Sequence, residues 1–385
     1  MRILSICYED MGGNIGGVRQ VIEISRSLSK LGYQVEVVAP GIRNFNKEVP
    51  FKIHYVPVIQ KKLLRPLTYH LLLLFYLIRV CYKFRPDIVL TYEIFLSFVP
   101  LLVAKIFSLP YVMFVNGDTE DFKLQGMPGF ILGAIELIRK INFGFCDTIF
   151  TVTENLRGML IKKYNYPGNK IIIVNNGVDT DFFKPMDKGG ACKSVGLDPN
   201  YFYVGFLGGI WPWHGLDLLI ESAPLVLKAM PEIKFVIAGH GPDKSKLNNL
   251  IKGMGIEKSF LVRDEVDFDK VPAYINAFDV CIVFFKPVRK NQGSPIKLFE
   301  YLACGKPVIA TNIENYGLLL EKYGGGISVN SEDPARVAEA ILKLAQDEKL
   351  RQRTGEDARK AAVVNFSWRK VAESVALQLK GCLVK

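Results

Sequence analysis

The sequence predicts an α/β protein built as two doubly wound, parallel-sheet domains of the Rossmann type, and three observations predict it. Short apolar runs recur along nearly the whole chain with helical segments between them; the first run is followed at once by a glycine-rich turn, GGNIGGVRQ over 12–20; and 385 residues exceed what one hydrophobic core usually organises. Hydrophobic residues make up 49% and charged residues 23%, the balance of a chain that folds around buried cores, which excludes disorder.

In chain order, MRILSIC opens as a core strand, because Glu9 and Asp10 arrive after only a few apolar residues and a secretory signal would not carry them there. The glycine turn leads into a helix through Ile22, Ile24 and Leu28 that stops near Gly32, and Val35–Ala39 follows as the next strand. Such a βαβ unit places the glycine turn at the carboxyl end of the sheet, where open α/β folds bind ligands. The rhythm continues with strands at 53–56, 88–91, 111–115, 148–152 and 171–174. After NNGVDTDFFKP, 175–185, a polar segment over 186–200 shows no strong period. A second series follows, with strands at 203–207, 235–238, 260–262, 280–284, 308–310 and 326–329 and helices at 216–230, 247–254 and 271–277. The tail over 334–383 has a helical period, with Ser367 as an N-cap and Trp368 as an anchor.

Charge and rare residues narrow the partners. The net charge of +11 is uneven: residues 1–170 carry 21 Lys and Arg against 13 Asp and Glu, and the remainder 28 against 25. A basic front half favours anionic partners such as membrane lipid or phosphorylated substrates. No Arg-rich run or RNA-binding signature supports nucleic acid. Seven scattered cysteines without a CxxC pair read as buried free thiols in a reducing compartment, and four distant histidines argue against a metal centre. The most apolar run, Leu67–Tyr82, falls short of the roughly 20 apolar residues of a spanning helix. It reads either as a buried core helix or as an interfacial helix among Lys61, Lys62, Arg65, Arg79, Lys83 and Arg85.

The stretch GSPIKLFEYLACGKPVIAT, 293–311, reads as a helix feeding a buried strand. Ser294 can cap it, Pro295 suits the first helical position, Gly305 suits the left-handed position after the last turn, and Pro307 blocks continuation. A helix start offers unpaired N–H groups and a positive dipole end, with Lys297 in the first turn and Glu300 on the same face. That combination suits a phosphate beside a polyhydroxyl group; the alternative is a solvated Lys297–Glu300 ion pair.

Five segments, GGNIGGVRQVIEISRSLSKLGYQVEVVAP, NNGVDTDFFKP, GHGPDKSKL, SPIKLFEYLACGKPVIAT and NFSWRKVAESV, resemble in order and over nearly the whole chain the family 4 glycosyltransferases, retaining enzymes of the GT-B fold. The resemblance implies two Rossmann-like domains facing across a cleft: an acceptor-binding domain over 1–185, with the C-terminal helix at about 366–385 packing back on it, and a donor-binding domain over 186–365. It implies transfer of a hexosyl unit from a nucleoside-diphosphate sugar to a hydroxyl acceptor, without cofactor or metal, in polysaccharide, lipopolysaccharide or glycolipid synthesis. With the basic first domain and the apolar run, the expectation is a cytoplasmic enzyme using a glycan or lipid-linked acceptor, with peripheral association at an anionic inner membrane face and no nucleic acid. The rival expectation is a catalytically silent nucleotide-sugar-binding or regulatory subunit.

Residue by residue, Glu300 aligns with the glutamate that accepts from both ribose hydroxyls. Gly16 and Gly17 align with the loop that closes on the diphosphate, and Gly239 opens the glycine turn GHGPDKSKL of the donor domain. Gly293, Ser294, Pro295 and Ile296 align with the donor-site helix start, where backbone groups reach the sugar or phosphate. Departures are equally informative. In FLGGIWPWHGLDLL, Gly208, followed by Gly209, and His214 stand where the family commonly has an Arg and a Lys. His214 then either donates to a phosphate or braces the turn around Trp211 and Trp213, and Lys297 carries the formal charge that a departing diphosphate requires. The paired glutamates appear as Gln292 and Glu300, and Asn116 stands where a histidine is common, with Asp118 or Glu93 left to orient the acceptor hydroxyl.

Overall fold

The computed structural model describes residues 1–385 apart from 13–15, 44, 46–47, 62–63, 125, 288–292, 314–315, 331 and 384–385, and the side chains of all the described residues but Asp121 and Leu124. Two compact units result, Met1–Gly177 with Trp368–Lys385, and Val178–Ser367. The division falls inside NNGVDTDFFKP, eight residues ahead of the expected 185/186 boundary. Val178 and Phe183 explain this, because both are buried in the second unit's core and the Val178 amide donates to the Phe366 carbonyl at 2.8 Å.

In the first unit, β1 (Arg2–Ile6), β2 (Gln34–Pro40), β3 (Lys52–Val56), β4 (Ile88–Tyr92), β5 (Tyr111–Val115), β6 (Thr148–Thr151) and β7 (Ile171–Ile173) form one parallel sheet. Its order is β3-β2-β1-β4-β5-β6-β7, so the winding reverses between β1 and β4. Strands covered on both faces read as continuous apolar runs, and YVMFV of β5 is buried at every position. Helices Gly16–Lys30 and Trp368–Leu383 cover one face, with Ile22, Ile24, Val371 and Val375 in a shared core. Helices Leu64–Phe84, Val99–Ile106, Gly129–Gly144 and Glu154–Tyr164 cover the other, through Leu73, Leu77, Leu101, Phe143 and Leu160. Trp368 seats on bare backbone: a Cβ on Gly177 would stand 2.6 Å from its ring.

The run Leu67–Tyr82 thus belongs to a helix with two apolar faces. Tyr69, Leu73 and Leu77 are fully buried and the Tyr69 hydroxyl donates to the Cys7 carbonyl at 2.7 Å, while Leu71 and Phe75 stand exposed. The core-helix reading describes one side and leaves the other unexplained.

In the second unit, β8 (Tyr203–Leu207), β9 (Lys234–Ala238), β10 (Phe260–Arg263), β11 (Val280–Val283), β12 (Val308–Thr311) and β13 (Gly326–Val329) form a parallel sheet of order β10-β9-β8-β11-β12-β13, reversing between β8 and β11. Helices Leu216–Ala229 and Pro334–Gln346 pack on one face through Ile220, Val337 and Ile341. Val271–Ala277, Ile296–Ala303 and Glu348–Asn365 pack on the other through Ile275, Phe299 and Ala358. All seven cysteines are buried and free. Within β8, Gly205 admits the Phe278 ring: an added Cβ would lie 2.1 Å from a ring carbon. Gly205→Ala overpacks this site, and we expect a loss of about 1–3 kcal/mol in chemical denaturation; an unchanged midpoint would show that Phe278 moves freely.

Candidate active site

The strand ends at the second unit's reversal point are stripped of side chains. Gly208 follows β8 with φ +128° and Gly239 follows β9 with φ +155°, backbone conformations that favour glycine. A Cβ on Gly239 would fall 1.9 Å from the Gly208 carbonyl oxygen, so no other residue fits there. The two segments hold each other through Gly208 N–H to the Ala238 carbonyl at 3.0 Å and Ile210 N–H to the His240 carbonyl at 2.9 Å.

Against these ends stands the helix Ile296–Ala303. Pro295, φ −73° and ψ 115°, takes the N-cap position, so the helix begins one residue later than the sequence suggests and Ser294 is not its cap. A proline has no side-chain oxygen for the role, and no side-chain capping bond forms. Gly293 adopts φ +73° just ahead of it, whereas Gln292 lies outside the described residues. Tyr301 ties the helix to β8, its hydroxyl accepting from Leu207 N–H at 2.8 Å and donating to the Leu207 carbonyl at 3.2 Å. Sequence reasoning missed this tether, which joins residues 94 positions apart.

Lys297 reaches the space that Gly208 leaves open. Its Nζ is buried with no hydrogen-bond partner among the described residues, sits 4.1 Å from the Phe206 ring centroid, and would lie 3.0 Å from a Cβ on Gly208. Burial lowers its pKa to about 7, partly opposed by the attraction of Glu300. Glu300 itself is only 7% exposed, so the solvated ion pair is not what forms. The arrangement presents a buried carboxylate, an amine that switches charge near neutrality and glycine backbone within one strand-end cluster.

His214 Nδ1 lies 2.5 Å from the Gly209 carbonyl. A carbonyl only accepts, so Nδ1 carries a proton and Nε2 can donate to a phosphate only in the imidazolium form. The ring meets Phe285 edge-on at 5.4 Å, and Trp211 stacks on Trp213 at 5.1 Å beside it. Bracing is therefore built into the geometry, and donation to an anion requires protonation.

The first unit arranges its candidates differently. A Cβ on Gly17 would stand 2.7 Å from Glu9 Oε1, so the glycine makes room for a carboxylate whose pKa is raised by burial and then by Asp10. A diphosphate at Gly17 would face that carboxylate, which the sequence reading of Gly16 and Gly17 did not foresee. Asn116, at the end of β5, donates to Gln20 at 2.6 Å, and Gln20 donates to Asn176 at 2.9 Å. Asp118 and Glu93 are both tied to Arg139, itself 2% exposed. Arg139 meets Glu93 through Nε at 2.5 Å and the other nitrogen at 3.2 Å, and also bonds the Gly117 carbonyl and Tyr164. Asp118 further accepts from Thr119 N–H at 2.7 Å and Lys163 at 3.2 Å. The carboxylates hold the loop after β5 in shape.

The lowered Lys297 value has a consequence for stability. Between about pH 7 and the ordinary 10.5 the unfolded chain binds more protons at this position than the folded one, so the folded state gains stability as pH rises through that window. Lys297→Met should remove this part of the slope in denaturation curves collected across that range; an unaltered slope would show that the amine stays charged.

Two family models match the chain, one described as Glycosyltransferase Family 4 over residues 15–182 and one as Glycosyl transferases group 1 over 191–361. The D-inositol 3-phosphate glycosyltransferase 2 of Catenulispora acidiphila is 27% identical over 239 residues, 60% of this chain and 55% of that protein. The chain spans just over half the length of most of the curated relatives it matches, 58%, 55% and 52% of three of them. Among solved structures, a glycosyltransferase from Rickettsia africae superposes with TM-score 0.76 at 18% identity, covering 99% of this chain and 98% of that one. Anabaena HepE, solved with UDP-glucose, gives TM-score 0.74 at 16% identity over 99% and 100% of the two chains. With one model matching in each unit, the chain belongs to the family 4 type of glycosyltransferases and has their GT-B fold.

Proposed function

We propose that the chain transfers a hexosyl unit, with retention of anomeric configuration, from a nucleoside-diphosphate sugar to a hydroxyl acceptor. The observation that carries this reading is the buried pair of Glu300 and Lys297 on the helix Ile296–Ala303, set against the bare strand end at Gly208. In the proposed complex the ribose diol donates to the Glu300 carboxylate, and the diphosphate lies against the backbone of Gly208, Gly209, Gly239 and the Gly293–Ile296 segment. An anion beside a buried amine favours its charged form, so Lys297 takes up a proton as the diphosphate arrives and then faces the charge that grows on the leaving oxygen. The anomeric carbon–oxygen bond breaks, the acceptor oxygen bonds to the same face, and the acceptor's proton passes to the departing phosphate oxygen. No protein base is needed for that step, in keeping with the engagement of Asp118 and Glu93 elsewhere. Nor does the proposed step draw on a metal ion.

HepE, solved with UDP-glucose, supports a donor of this class, since its fold is shared over the full chain. The acceptor we propose is a glycan or lipid-linked hydroxyl in polysaccharide, lipopolysaccharide or glycolipid synthesis, and seven free thiols support a reducing, cytoplasmic setting. A silent nucleotide-sugar binder loses part of its motive, because Lys297 reaches the space where Gly208 lacks a cation.

Glu300→Ala should weaken nucleoside-diphosphate binding by about 1–3 kcal/mol in titration calorimetry, with UDP tried first; equal affinity would remove the ribose assignment. Proton NMR of the product formed from an α-linked donor should show an α-anomer. A β-anomer would overturn retention and leave the donor site standing.

A further inference from the structure

The helical layer formed by Leu64–Phe84, Val99–Ile106 and Gly129–Gly144 packs one side into the core of the first unit and turns large apolar side chains outward on the other. On a helix that advances about 100° per residue, Leu64, Leu71, Phe75 and Tyr82 fall within about 40° of one line, opposite the buried Tyr69, Leu73 and Leu77. Leu71 is 62% and Phe75 69% exposed. Helix Gly129–Gly144 repeats the pattern: Phe130, 80% exposed, Leu137, 60%, and Ile141 lie within about 40° of a line facing away from Ile135, Arg139 and Asn142. Leu102 and Ile106 do the same on the short helix between them. Surface helices of water-soluble proteins place polar residues there, so three apolar outer stripes on one layer mark a contact surface.

The stripes are neighbours. Tyr82 meets Phe107 edge-on at 5.2 Å, and the Lys105 ammonium lies 5.5 Å over the Phe145 ring, linking the middle helix to both others. The exposed charges on the three helices have one sign. Arg79, Lys83, Lys105 and Lys140 are exposed on these three helices, whose sole acid, Glu136, is paired with Lys163. By length and composition Leu64–Phe84 could cross a membrane, yet its other face is committed to the protein core. A helix so anchored lies along a surface rather than through it.

We propose that this layer is a docking surface for an anionic lipid bilayer, with Leu71, Phe75, Phe130 and Leu137 entering the acyl boundary and the lysines and arginines meeting lipid phosphates. A second copy of this chain would bring the same cations against one another, whereas anionic lipid complements them. The inference does not depend on the donor site, which belongs to the other unit.

The test is flotation of the full chain with vesicles of phosphatidylglycerol and phosphatidylcholine, with vesicles of phosphatidylcholine alone, and with both at low and high salt. The chain should float with the anionic vesicles at low salt and be released by salt. Phe75→Asp combined with Leu137→Asp, or Lys83→Glu combined with Lys105→Glu, should lower the bound fraction about tenfold or more. Leu377→Ser, on an exposed helix across the sheet, should leave it unchanged. Circular dichroism and the thermal unfolding midpoint would verify that each variant is folded. No flotation with anionic vesicles, equal flotation with neutral ones, or a wild-type dimer that Phe75→Asp converts to monomer would overturn the proposal.

Discussion

A buried lysine amine that lacks a hydrogen-bond partner opposes folding, and the strand-end cluster of the second unit is built around an amine with none among the described residues. Lys297 tolerates its position because the Phe206 ring offers its face at 4.1 Å and because burial lets the amine shed its proton near neutrality. It has room there only because Gly208 has no side chain. Gly208 in turn lies where Gly239 can pass it with no Cβ between. The two glycines, the Tyr301 hydroxyl that ties its helix to Leu207 and the amine form one mutually dependent arrangement. An arriving diphosphate would supply the partner this amine lacks, which is the physical link between the geometry and the proposed transfer.

In the first unit the charged groups are spent on shape. Arg139 is nearly inaccessible and gathers Glu93, Asp118, the Gly117 carbonyl and Tyr164, while Lys163 bridges Asp118 to Glu136. Such a network fixes the loop after β5, and removing one member would strand another buried charge. Asn116, held by Gln20, inherits that fixed position at the end of its strand. The loop is therefore a rigid mount, with the amide chain Asn116–Gln20–Asn176 rather than a carboxylate at its edge.

The same unit carries helices whose apolar character exceeds what its core consumes. Parallel sheets demand apolar strands and one apolar side per helix. The outer stripes on Leu64–Phe84 and Gly129–Gly144 come on top of that demand, and their cations give them a preferred partner. The second unit exposes Trp211, Leu225 and Leu318 singly, without a comparable stripe among the described residues, so the asymmetry in charge between the two halves of the chain coincides with an asymmetry in exposed apolar surface.

Much of the fold was legible from residue order alone. All thirteen strands of the two sheets lie where short apolar runs bounded by turn residues place them, and the signal is plainest where, as in β4 and β5, every position is buried. The left-handed Gly305 and the family identity were equally readable, being local patterns of residue type and spacing. What the sequence could not decide was which polar groups would meet. Glu93 and Arg139 are 46 residues apart, Tyr301 and Leu207 94, and the crowding of Glu9 against Gly17 follows from no local pattern. Nor could periodicity tell that Leu67–Tyr82 would use only one of its two apolar sides. The start of the helix Ile296–Ala303 shows both limits: its residue types suit an anion, but the burial of the Lys297 amine, without a hydrogen-bond partner among the described residues, arises only when β8 brings Phe206 and Gly208 against it, since burial is a property of the assembled core and not of any stretch of chain.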